Sequence, residues 1–548
     1  MHIALAQLNQ RIGDFEGNLA RMKRAVRSAT TAGAELIVFG ELATCGYPPR
    51  DFLEFSDFIH RCDHVVEELM TLSHDIGIIV GTPTVNPDPE GKDLFNSAHL
   101  LHEGRIVGTA HKTLLPTYDI FDEYRYFEPA HEHRVIEWNG LRLALTVCED
   151  IWNIHNENPL YRTCPMDVLA QQAPDLMINL SASPFSYSQA EERKAIVRAN
   201  SDQYRVPVIY VNHVGAQTDI VFDGGSLVAN DRGEIVTELP YFTECIEVVD
   251  VSEVPTLMVR EQGMPVAERI RKALVTGIRD YFAKLGFEKA VLGLSGGVDS
   301  ALVLALAVEA LGRKNVLSIL MPSQYSSDHS VQDAIDLAEN LGSPYRIVPI
   351  ENAYFEMERT LADSFEGTEP GIAEENIQAR LRGMILMAHS NKFGHILLNT
   401  SNKSEMAVGY GTLYGDMCGG LSVIGDLYKT QVYEVCEHIN EGDDVIPRNI
   451  LEKPPSAELR PNQKDTDSLP EYDELDAILM EYIEGRRGPD EIIAREHDAD
   501  LVARTLRMVN MSEWKRHQLA PVIRVSPKAF GMGRRMPIVA RYLDRSAG

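Results

Sequence analysis

The sequence predicts an α/β protein of two domains. The chain has 548 residues, and single hydrophobic cores stop growing near about 250 to 300 residues. Short apolar runs alternate with segments of helical periodicity along most of its length. That alternation stops at residues 250–265, where Pro255 and Pro265 bracket a segment without strong periodicity. We therefore expect domains at 1–250 and 267–548, joined by a linker at 251–266.

The first half contains apolar runs that end in polar or glycine-rich turns. Such runs are typical of buried strands; they are ELIVFG, IGIIVGTP, RLALTV, DLMINLSAS and VPVIYVNHVG. Between them lie EGNLARMKRAVRSATTAG and SDFIHRCDHVVEELMTLSHDIG, whose apolar positions recur three and four residues apart. This spacing indicates amphipathic helices, so an α/β fold is expected for the first half.

The second half alternates strictly between predicted strands and helices. The predicted strands lie at 289–294, 315–322, 345–350 and 395–401, and the helices at 300–312, 327–342 and 374–394. Such alternation implies right-handed crossovers and a doubly wound parallel sheet. Residues 452–476 are rich in Pro, Asp and Glu, which predicts a loop.

Charge and composition exclude several classes of function. A formal net charge of -29 without a long Lys/Arg stripe disfavours nucleic acid as a partner, although a small anion can still bind in a pocket. The seven cysteines are scattered and include no CxxC pair, which favours a reducing cytoplasm. The start lacks a signal-peptide pattern, and the most apolar helical run, 301–311, is too short to span a membrane.

The segment LGLSGGVDS at 292–300 predicts a phosphate-binding loop between a strand and a helix. Gly296 and Gly297 let the backbone approach an anion, and free N–H groups and the helix dipole then face it. Ser295 and Ser300 add hydroxyl donors. Because no GxxxxGK[ST] motif is present, a kinase or a common NTPase is disfavoured. A plain glycine-rich turn is the alternative interpretation of the two glycines.

Three apolar runs each end in a side chain that suits acyl-transfer chemistry: Glu41, Lys112 and Cys148. A thiol with an ordinary pKa of about 8.5 needs a base and a positive neighbour to act as a nucleophile. Glu41 can supply the base, whereas Lys112 can supply the charge and, with the backbone N–H of Glu149, stabilise an oxyanion. Singly, each residue also fits an ordinary buried thiol or solvated surface charge.

Two acidic residues complicate this interpretation. Glu149 and Asp150 directly follow Cys148 and would raise the pKa of its thiol if they faced it. We therefore expect them to point elsewhere or to be paired. Glu149 and Glu123 are the next carboxylates to consider if Glu41 is not the base.

The contexts of these residues carry a family resemblance. Three motifs of the first half resemble the Glu-Lys-Cys amidase domain of the nitrilase superfamily: FGELATCGYPPRD, HKTLLPTYDIFDEYRYF and TVCEDIW. This resemblance implies an α-β-β-α sandwich over residues 1–250. Motifs of the second half resemble those of the ammonia-dependent NAD⁺ synthetases: SGGVDS, NIQARLRGM, LLNTSNKSE, GYGTLYGD, GDLYKTQVYE, EKPPSAEL and EWKRHQ. The SGGxDS loop of that family is the loop of ATPases that adenylate a substrate and release pyrophosphate. Together the halves resemble the glutamine-dependent NAD⁺ synthetases.

The resemblance implies roles for residues of the first half. Glu41 would be the general base, Lys112 the oxyanion stabiliser, and Cys148 the nucleophile that becomes a glutamyl thioester. The glutamine-binding positions would be Tyr118, Ser183 and Gln189, although relatives often carry a basic residue at the position of Gln189.

It likewise implies roles in the second half. ATP would bind to Gly293, Leu294, Ser295, Gly296, Gly297, Val298, Asp299, Ser300 and Thr400, with Lys429 and Ser456 lining the nucleotide site. Deamido-NAD⁺ would contact Asn376, Glu405 and Lys515, and Mg²⁺ would bind to Asp299 and Glu405. The plain alternatives are a helix cap for Asn376, a strand end for Thr400 and a solvated basic turn for Lys515.

The implied activity is the ATP-dependent adenylation of deamido-NAD⁺, followed by attack of glutamine-derived ammonia to give NAD⁺, AMP and pyrophosphate. An internal ammonia passage, a homo-oligomer and a cytoplasmic location are further implications. One alternative keeps the chemistry but changes the acceptor, as in GMP synthetase. Another is a catalytically silent scaffold that senses nucleotides, which an intact Glu41, Lys112 and Cys148 set argues against.

Overall fold

The computed structural model describes residues 1–154, 161–254, 263–461, 463–540 and 542. The chain divides into two compact units, Met1–Met264 and Pro265–Gly548. The predicted linker at 251–266 includes residues 255–262, which lie outside the described residues.

The first unit is built mainly of strands. Its strands are β1 (His2–Gln7), β2 (Leu36–Val38), β3 (Gly77–Val85), β4 (Leu94–His102), β5 (Arg105–His111), β6 (Ile136–Trp138), β7 (Leu141–Val147), β8 (Leu176–Leu180), β9 (Val208–Val211), β10 (Val214–Gln217), β11 (Ile220–Asp223), β12 (Leu227–Ala229), β13 (Ile235–Glu238) and β14 (Cys245–Asp250). Its helices are α1 (Phe15–Thr31), α2 (Ser56–Met70), α3 (Pro165–Ala170) and α4 (Gln189–Tyr204).

Twelve of these strands form two six-stranded sheets, in the orders β14-β1-β2-β3-β4-β5 and β13-β12-β9-β8-β7-β6, and β10 and β11 pair separately. Apolar side chains of both sheets, such as Leu5 and Leu145, share one buried core. Helices α1 and α2 pack on the outer face of the first sheet, and α3 and α4 on that of the second. The α-β-β-α sandwich implied by the family resemblance is thus confirmed.

The second unit alternates helices and short strands. Its helices are α5 (Val266–Leu285), α6 (Val298–Leu311), α7 (Asp328–Leu341), α8 (Glu351–Leu361), α9 (Ile372–Phe393), α10 (Lys403–Val408), α11 (Lys429–Ile439), α12 (Arg448–Glu452), α13 (Tyr472–Ile483), α14 (Pro489–Ile493), α15 (Ala499–Met511) and α16 (Glu513–Arg516). Its strands are β15 (Ala290–Gly293), β16 (Val316–Leu320), β17 (Tyr345–Ile347), β18 (Ile396–Asn399) and β19 (Leu421–Ser422).

All of the strand pairings in this sheet are parallel, in the order β17-β16-β15-β18-β19. The chain winds outward from β15 first to one side and then, from β18, to the other, which confirms the doubly wound prediction. The change of direction falls between β15 and β18, and ligands of such sheets bind beyond the carboxyl ends of the strands at this position. The glycine-rich loop follows β15 directly.

Two predicted segments, one loop and one helix, have wrong boundaries. The segment 452–476 is not a loop throughout, because α13 begins at Tyr472 and buries Leu475 and Leu479 against α10 and α15. The predicted helix at 56–77 ends at Met70, since the following turns bring the chain into β3. Among the described residues, no helix combines the length and the apolar character needed to cross a membrane.

Candidate active sites

In the first unit, three strands end at the predicted reactive residues. Glu41 lies three residues beyond β2, Lys112 directly follows β5, and Cys148 directly follows β7. The structure joins two of them, since the Lys112 Nζ lies 2.7 Å from the Glu41 Oε1. Both side chains are fully buried, so this ion pair is isolated from bulk water.

The carboxylate of Glu41 is fixed from several directions. Its Oε1 accepts a 2.7 Å hydrogen bond from the Asn96 side chain, and its Oε2 accepts one of 3.1 Å from the backbone N–H of Ala182. The loop that carries Glu41 crosses β3 at Gly81, where an added Cβ would lie 2.5 Å from the backbone N of Leu42. Glycine is therefore required at residue 81 for Glu41 to reach this position.

A second carboxylate, Glu123, completes the surroundings of Lys112. The Lys112 Nζ donates to the Glu123 Oε1 at 2.8 Å, and the Tyr47 hydroxyl donates to the same oxygen at 2.7 Å. Burial lowers the pKa of Lys112, but Glu123 and Glu41 outweigh this effect and hold it well above its ordinary value. Lys112 therefore remains a cation throughout the neutral pH range.

Sequence reasoning named Glu123 only as a fallback base. Burial raises the pKa of Glu123 to about 7, against the attraction of Lys112 and together with the charge of Glu41. Its signal in the sequence is weak, because it lies among other acidic and aromatic residues in DIFDEYRYF. Only tertiary structure distinguishes it from its acidic neighbour Asp122.

Cys148 lies on a sharp turn at the end of β7. Its φ of 44° is in the left-handed region, which costs roughly 1 kcal/mol or more for a residue with a side chain and commonly marks functional sites. Burial raises the pKa of the thiol well above its ordinary value, the charge of Glu41 adds to the shift, and Lys112 opposes it. The resting thiol is therefore protonated at neutral pH, and a base must remove its proton.

The two acidic residues after Cys148 are both paired, as expected. The Asp150 carboxylate accepts hydrogen bonds from the backbone N–H groups of Thr113 and Leu114, each at 2.9 Å, and of Val147 at 3.0 Å. Asp150 thereby ties the segment after β5 to the end of β7. This link fixes the strand end that carries Lys112 relative to the one that carries Cys148.

Glu149 has different partners. The hydroxyls of Tyr118 and Tyr161 donate to its Oε1 at 2.8 and 3.0 Å. Burial raises the pKa of Glu149, while Lys112 and the two tyrosine hydroxyls oppose the shift. Tyr161 was not recognised from the sequence, where it follows no motif.

The remaining predicted glutamine contacts lie in different settings. Tyr118 is 38% exposed and reaches the site through its bond to Glu149. Ser183 is buried after β8, and its backbone N–H donates to the Asn212 side chain at 2.9 Å. Gln189 is half-buried at the first residue of α4, and its backbone N–H donates to Ser186 at 3.1 Å.

In the second unit, residues 293–300 form a tight loop between β15 and α6. Gly296 has a φ of 80°, and an added Cβ would lie 2.1 Å from the backbone O of Ser330. The hydroxyls of Ser295 and Ser300 are 3.1 Å apart, and the backbone N–H of Gly297 donates to Ser295 at 3.1 Å. Backbone N–H groups and hydroxyls thus gather at the start of the 14-residue helix α6, an arrangement that favours phosphate.

A charged cluster adjoins this loop. The Lys429 Nζ lies 2.5 Å from the Asp299 Oδ2 and 3.9 Å from the Glu405 Oε1. The Asn402 side chain donates to the Asp299 Oδ1 at 3.0 Å. Burial and the Asp299 charge raise the pKa of Glu405 well above its ordinary value, with Lys429 opposing. Burial lowers the pKa of Lys429, but Asp299 and Glu405 outweigh it and raise that pKa.

A third carboxylate, Asp465, belongs to the same region and was not predicted. The hydroxyls of Tyr410 and Tyr472 donate to its two oxygens at 3.2 and 2.9 Å, and the Lys429 Nζ lies 5.3 Å from the Tyr472 ring centroid. Burial raises the pKa of Asp465, and Lys429 opposes the shift. Its sequence surroundings predicted a solvated loop, which hid its burial.

The donor set fits Mg²⁺. Asp299 and Glu405 lie within 2.5 and 3.9 Å of the same ammonium group, and their carboxylate oxygens are the ligand type that Mg²⁺ prefers. Among the described residues, no group of three His, Cys, Asp or Glu side chains is arranged to hold a metal ion by itself. Mg²⁺ usually takes one or two protein carboxylates and completes its octahedron with phosphate oxygens and waters, so two carboxylates beside a phosphate loop suffice.

Three other predicted residues of this unit, Thr400, Asn376 and Lys515, lie in different local settings. Thr400 directly follows β18, next to the position where the sheet changes direction. Asn376 lies inside α9 and accepts a 2.7 Å bond from the Thr412 hydroxyl, so it does not cap the helix. The Lys515 Nζ donates to the backbone oxygens of Gly409 and Gly411, each at 2.9 Å, so Lys515 is not a freely solvated cation.

The Ser456 side chain is exposed and forms hydrogen bonds within its own segment. Its hydroxyl donates to the backbone oxygen of Gln463 at 2.6 Å and accepts from the backbone N–H of Glu458 at 3.2 Å. Glu458 in turn accepts bonds of 2.9 and 2.8 Å from the hydroxyls of Ser327 and Ser330. Ser456 therefore affects the phosphate loop only indirectly, by fixing the conformation of its own segment.

Comparisons with known proteins agree with this division. The family model described as carbon-nitrogen hydrolase matches residues 2–256, and the one described as NAD synthase matches residues 270–519. The glutamine-dependent NAD(+) synthetase of a Synechocystis species is 45% identical to this chain, with 98% of the chain and 99% of that protein covered. The protein of the same name from Thermotoga maritima is 40% identical, with 99% of each covered.

Solved structures show the same similarity. The glutamine-dependent NAD+ synthetase from Acinetobacter baumannii, in complex with adenosine diphosphate, is 37% identical with a TM-score of 0.78, and 98% of each chain is covered. A glutamine-dependent NAD(+) synthetase from Cytophaga hutchinsonii is 21% identical with a TM-score of 0.84 and covers the same share. The second structure supports the fold alone.

The pKa of Glu123 leads to a prediction for stability. Because its folded value of about 7 exceeds the ordinary value of 4.5, its protonation stabilises the fold most at and below pH 4.5. This contribution is lost as the pH rises through about 7. The free energy of unfolding of the wild type, relative to Glu123→Gln, should therefore fall from pH 5 to pH 8 in urea titrations. The exposed Glu137→Gln should show no such trend, and a difference that grows with pH would contradict the assignment.

Proposed function

The chain belongs to the glutamine-dependent NAD⁺ synthetases, and from this premise we propose a role for each residue of its two reaction sites. Residues 1–250 form the amidase domain, which releases ammonia from glutamine, and residues 267–548 form the synthetase domain, which transfers it to adenylated deamido-NAD⁺. The observation that carries the proposal is the buried Lys112 ammonium between Glu41 and Glu123. Such a site provides charge and proton transfer shielded from water.

The first step is the attack of Cys148 on the side-chain amide of glutamine. Glu41 takes the thiol proton, and the thiolate forms a bond to the amide carbon. Lys112 and the backbone N–H of Glu149 stabilise the oxyanion. Glu41 then returns the proton to the departing nitrogen, so the carbon-nitrogen bond breaks and ammonia leaves a glutamyl thioester. Glu41 next activates a water molecule, which releases glutamate and restores the thiol.

Glutamine carries an α-ammonium group, and Glu149 is the group that suits it. Tyr118 and Tyr161 donate to the same oxygen of Glu149, and within the described part of the chain no hydrogen bond to its Oε2 is formed, so this oxygen can accept from a cation. Both tyrosines orient the carboxylate rather than neutralise it. The Ser183 hydroxyl and Gln189 are assigned to the α-carboxylate end of the substrate.

In the synthetase domain, residues 293–300 and Thr400 bind ATP, and the glycine-rich loop contacts its phosphates. Asp299 and Glu405 would hold Mg²⁺, which screens the phosphate charge when bound. Lys429 supplies a fixed positive charge beside the same phosphates. Asn376, Glu405 and Lys515 contact deamido-NAD⁺, whose nicotinate carboxylate attacks the α-phosphorus of ATP and displaces pyrophosphate. Ammonia then attacks the acyl-adenylate, and AMP leaves.

Ammonia must pass from the first reaction to the second without loss to the medium. We propose an internal passage, a homo-oligomer and a cytoplasmic location. Free thiols at all seven cysteines support the last. Retention of glutamine-derived ¹⁵N in NAD⁺ during a chase with unlabelled ammonium chloride tests the passage.

The direct test of the two separate reactions uses Cys148→Ala. This variant should lose glutamine-dependent NAD⁺ synthesis and keep synthesis from ammonium salts within about twofold, because only the thioester requires the thiol. AMP release is measured with each nitrogen source and with deamido-NAD⁺ or xanthosine monophosphate as acceptor. Cys245→Ala, on the edge strand β14, is the matched control and should keep both activities. Loss of the ammonia-dependent reaction in folded Cys148→Ala would contradict separate sites.

Glu41→Gln tests the general base. Because general acid-base catalysis contributes about 10²- to 10⁴-fold, glutaminase turnover should fall by at least that range while the ammonia-dependent reaction stays near the wild-type rate. Mass spectrometry should detect a glutamyl adduct on Cys148 if hydrolysis slows more than acylation. Glu137→Gln is the matched control. Full glutaminase turnover in Glu41→Gln would transfer the role to Glu123 or Glu149.

Asp299→Asn tests the phosphate site. The variant should lose AMP formation from either nitrogen source by about 10²-fold or more, because Lys429 and the metal then lose their common carboxylate. Basal glutaminase activity should persist. Asp336→Asn on α7 is the control with the same loss of charge. An unchanged dependence of AMP formation on Mg²⁺ concentration in Asp299→Asn would place the metal elsewhere.

A further inference from the structure

A cavity of about 300 Å³ lies in the second unit at the amino-terminal edge of its parallel sheet. Its lining residues are Lys289, Lys314, Asn315, Leu317, Pro344, Arg346, Phe393 and His395. This volume is at the lower end of the range for small-molecule sites. None of these residues takes part in the reactions described above.

The topology explains why cations converge here. Lys289 directly precedes β15, Lys314 precedes β16, Arg346 lies in β17, and His395 directly precedes β18. Because these strands are parallel neighbours, their amino ends meet at one edge. The phosphate loop follows the other end of β15. The four residues of that strand span about 13 Å, so the two sites lie on opposite edges of the sheet.

Three of the lining residues are cations: Lys289, Lys314 and Arg346. Within the described ranges, Lys289, Lys314 and Arg346 form no ion pair, whereas other cations of this unit do, such as Arg271 with Glu309 at 2.8 Å. In a chain with a net charge of -29, unneutralised cations around a concave surface create a local positive potential. That potential selects for an anionic ligand.

The other features of the cavity lining are also compatible with an anionic ligand. The Arg346 guanidinium stacks 5.4 Å from the centroid of the Phe393 ring, which fixes its planar group at the rim. The His395 Nδ1 is enclosed and has no hydrogen-bond partner among the described residues. Burial lowers the pKa of His395, and the positive charges of Lys289, His389 and Arg346 lower it further. The ring is therefore neutral at pH 7 and surrounded by cations.

We propose that this cavity binds a small anion that carries a pyrophosphate group, separately from the catalytic phosphate loop. Three cations at or before the amino ends of three strands match the charge of two linked phosphates, and a fork-shaped guanidinium can hold two of their oxygens. Two kinds of ligand carry such a group, the free pyrophosphate ion and a nucleoside diphosphate.

Calorimetric titration of the full-length protein at 0.1 M salt tests the site, with inorganic pyrophosphate, ADP and orthophosphate as probes. Lys289→Glu and Arg346→Gln should each weaken one pyrophosphate-binding event at least about fivefold. Lys392→Glu is the matched control, because Lys392 neighbours Phe393 on α9 without lining the cavity, and it should stay within about threefold of the wild type. If charge reversal unfolds the protein, Lys289→Gln and Lys314→Gln provide the same measurement.

The outcomes are distinct. Equal weakening of pyrophosphate and ADP supports recognition of the pyrophosphate group alone, and tighter binding of ADP supports a nucleotide ligand. The proposal fails if Lys289→Glu binds pyrophosphate like Lys392→Glu. It also fails if the weakening is matched by an equal rise in the KM for ATP, because the effect would then lie at the phosphate loop. Neither result depends on the roles assigned to Cys148 or Asp299.

Discussion

A buried ammonium needs an opposite charge and oxygen acceptors around it, and this requirement organises the candidate site of the first unit. Removing one partner of a buried ion pair costs about 3 to 5 kcal/mol, because the other charge is left without compensation. Lys112 meets the requirement with Glu41 and Glu123. To bring these residues together, the chain must place the ends of β2 and β5 at one point. Gly81 permits the close crossing, and the Asp150 carboxylate ties the segment after β5 to β7.

The second site uses the same physical arrangement on an unrelated sheet. Lys429 lies between Asp299 and Glu405, and its position depends on the start of α11. The Ser404 hydroxyl accepts from the backbone N–H of Lys429 at 2.9 Å, and the Asp476 carboxylate accepts from that of Thr430 at 2.9 Å. Helix α13, which carries Asp476, thus positions a cation of the candidate phosphate site from outside the sheet.

Some of the fold and site could be predicted because their signals are local. The glycines of the phosphate loop, the apolar runs of the strands and the position of Cys148 after β7 follow from neighbours in the chain. Glu123, Tyr161 and Asp465 could not be found in this way. Each is recognised only by its contacts with residues far away in sequence, as when Glu123 meets Tyr47, which lies 76 residues away. The segment around Asp465 has the composition of a solvated loop, and its burial is a tertiary effect.

The sequence by itself determined the two α/β units, the glycine-rich loop after β15, and the strand-end positions of Glu41, Lys112 and Cys148, since periodicity and strand-end position are properties of short segments. Tertiary structure decided which carboxylates share each ammonium, which groups hydrogen-bond to Glu149 and Asp150, and where the cations Lys289, Lys314 and Arg346 collect. The physical reason is that the pKa and charge of a side chain depend on burial and on neighbours within a few ångströms. Those neighbours are brought together by strand order, which no local pattern of residues specifies.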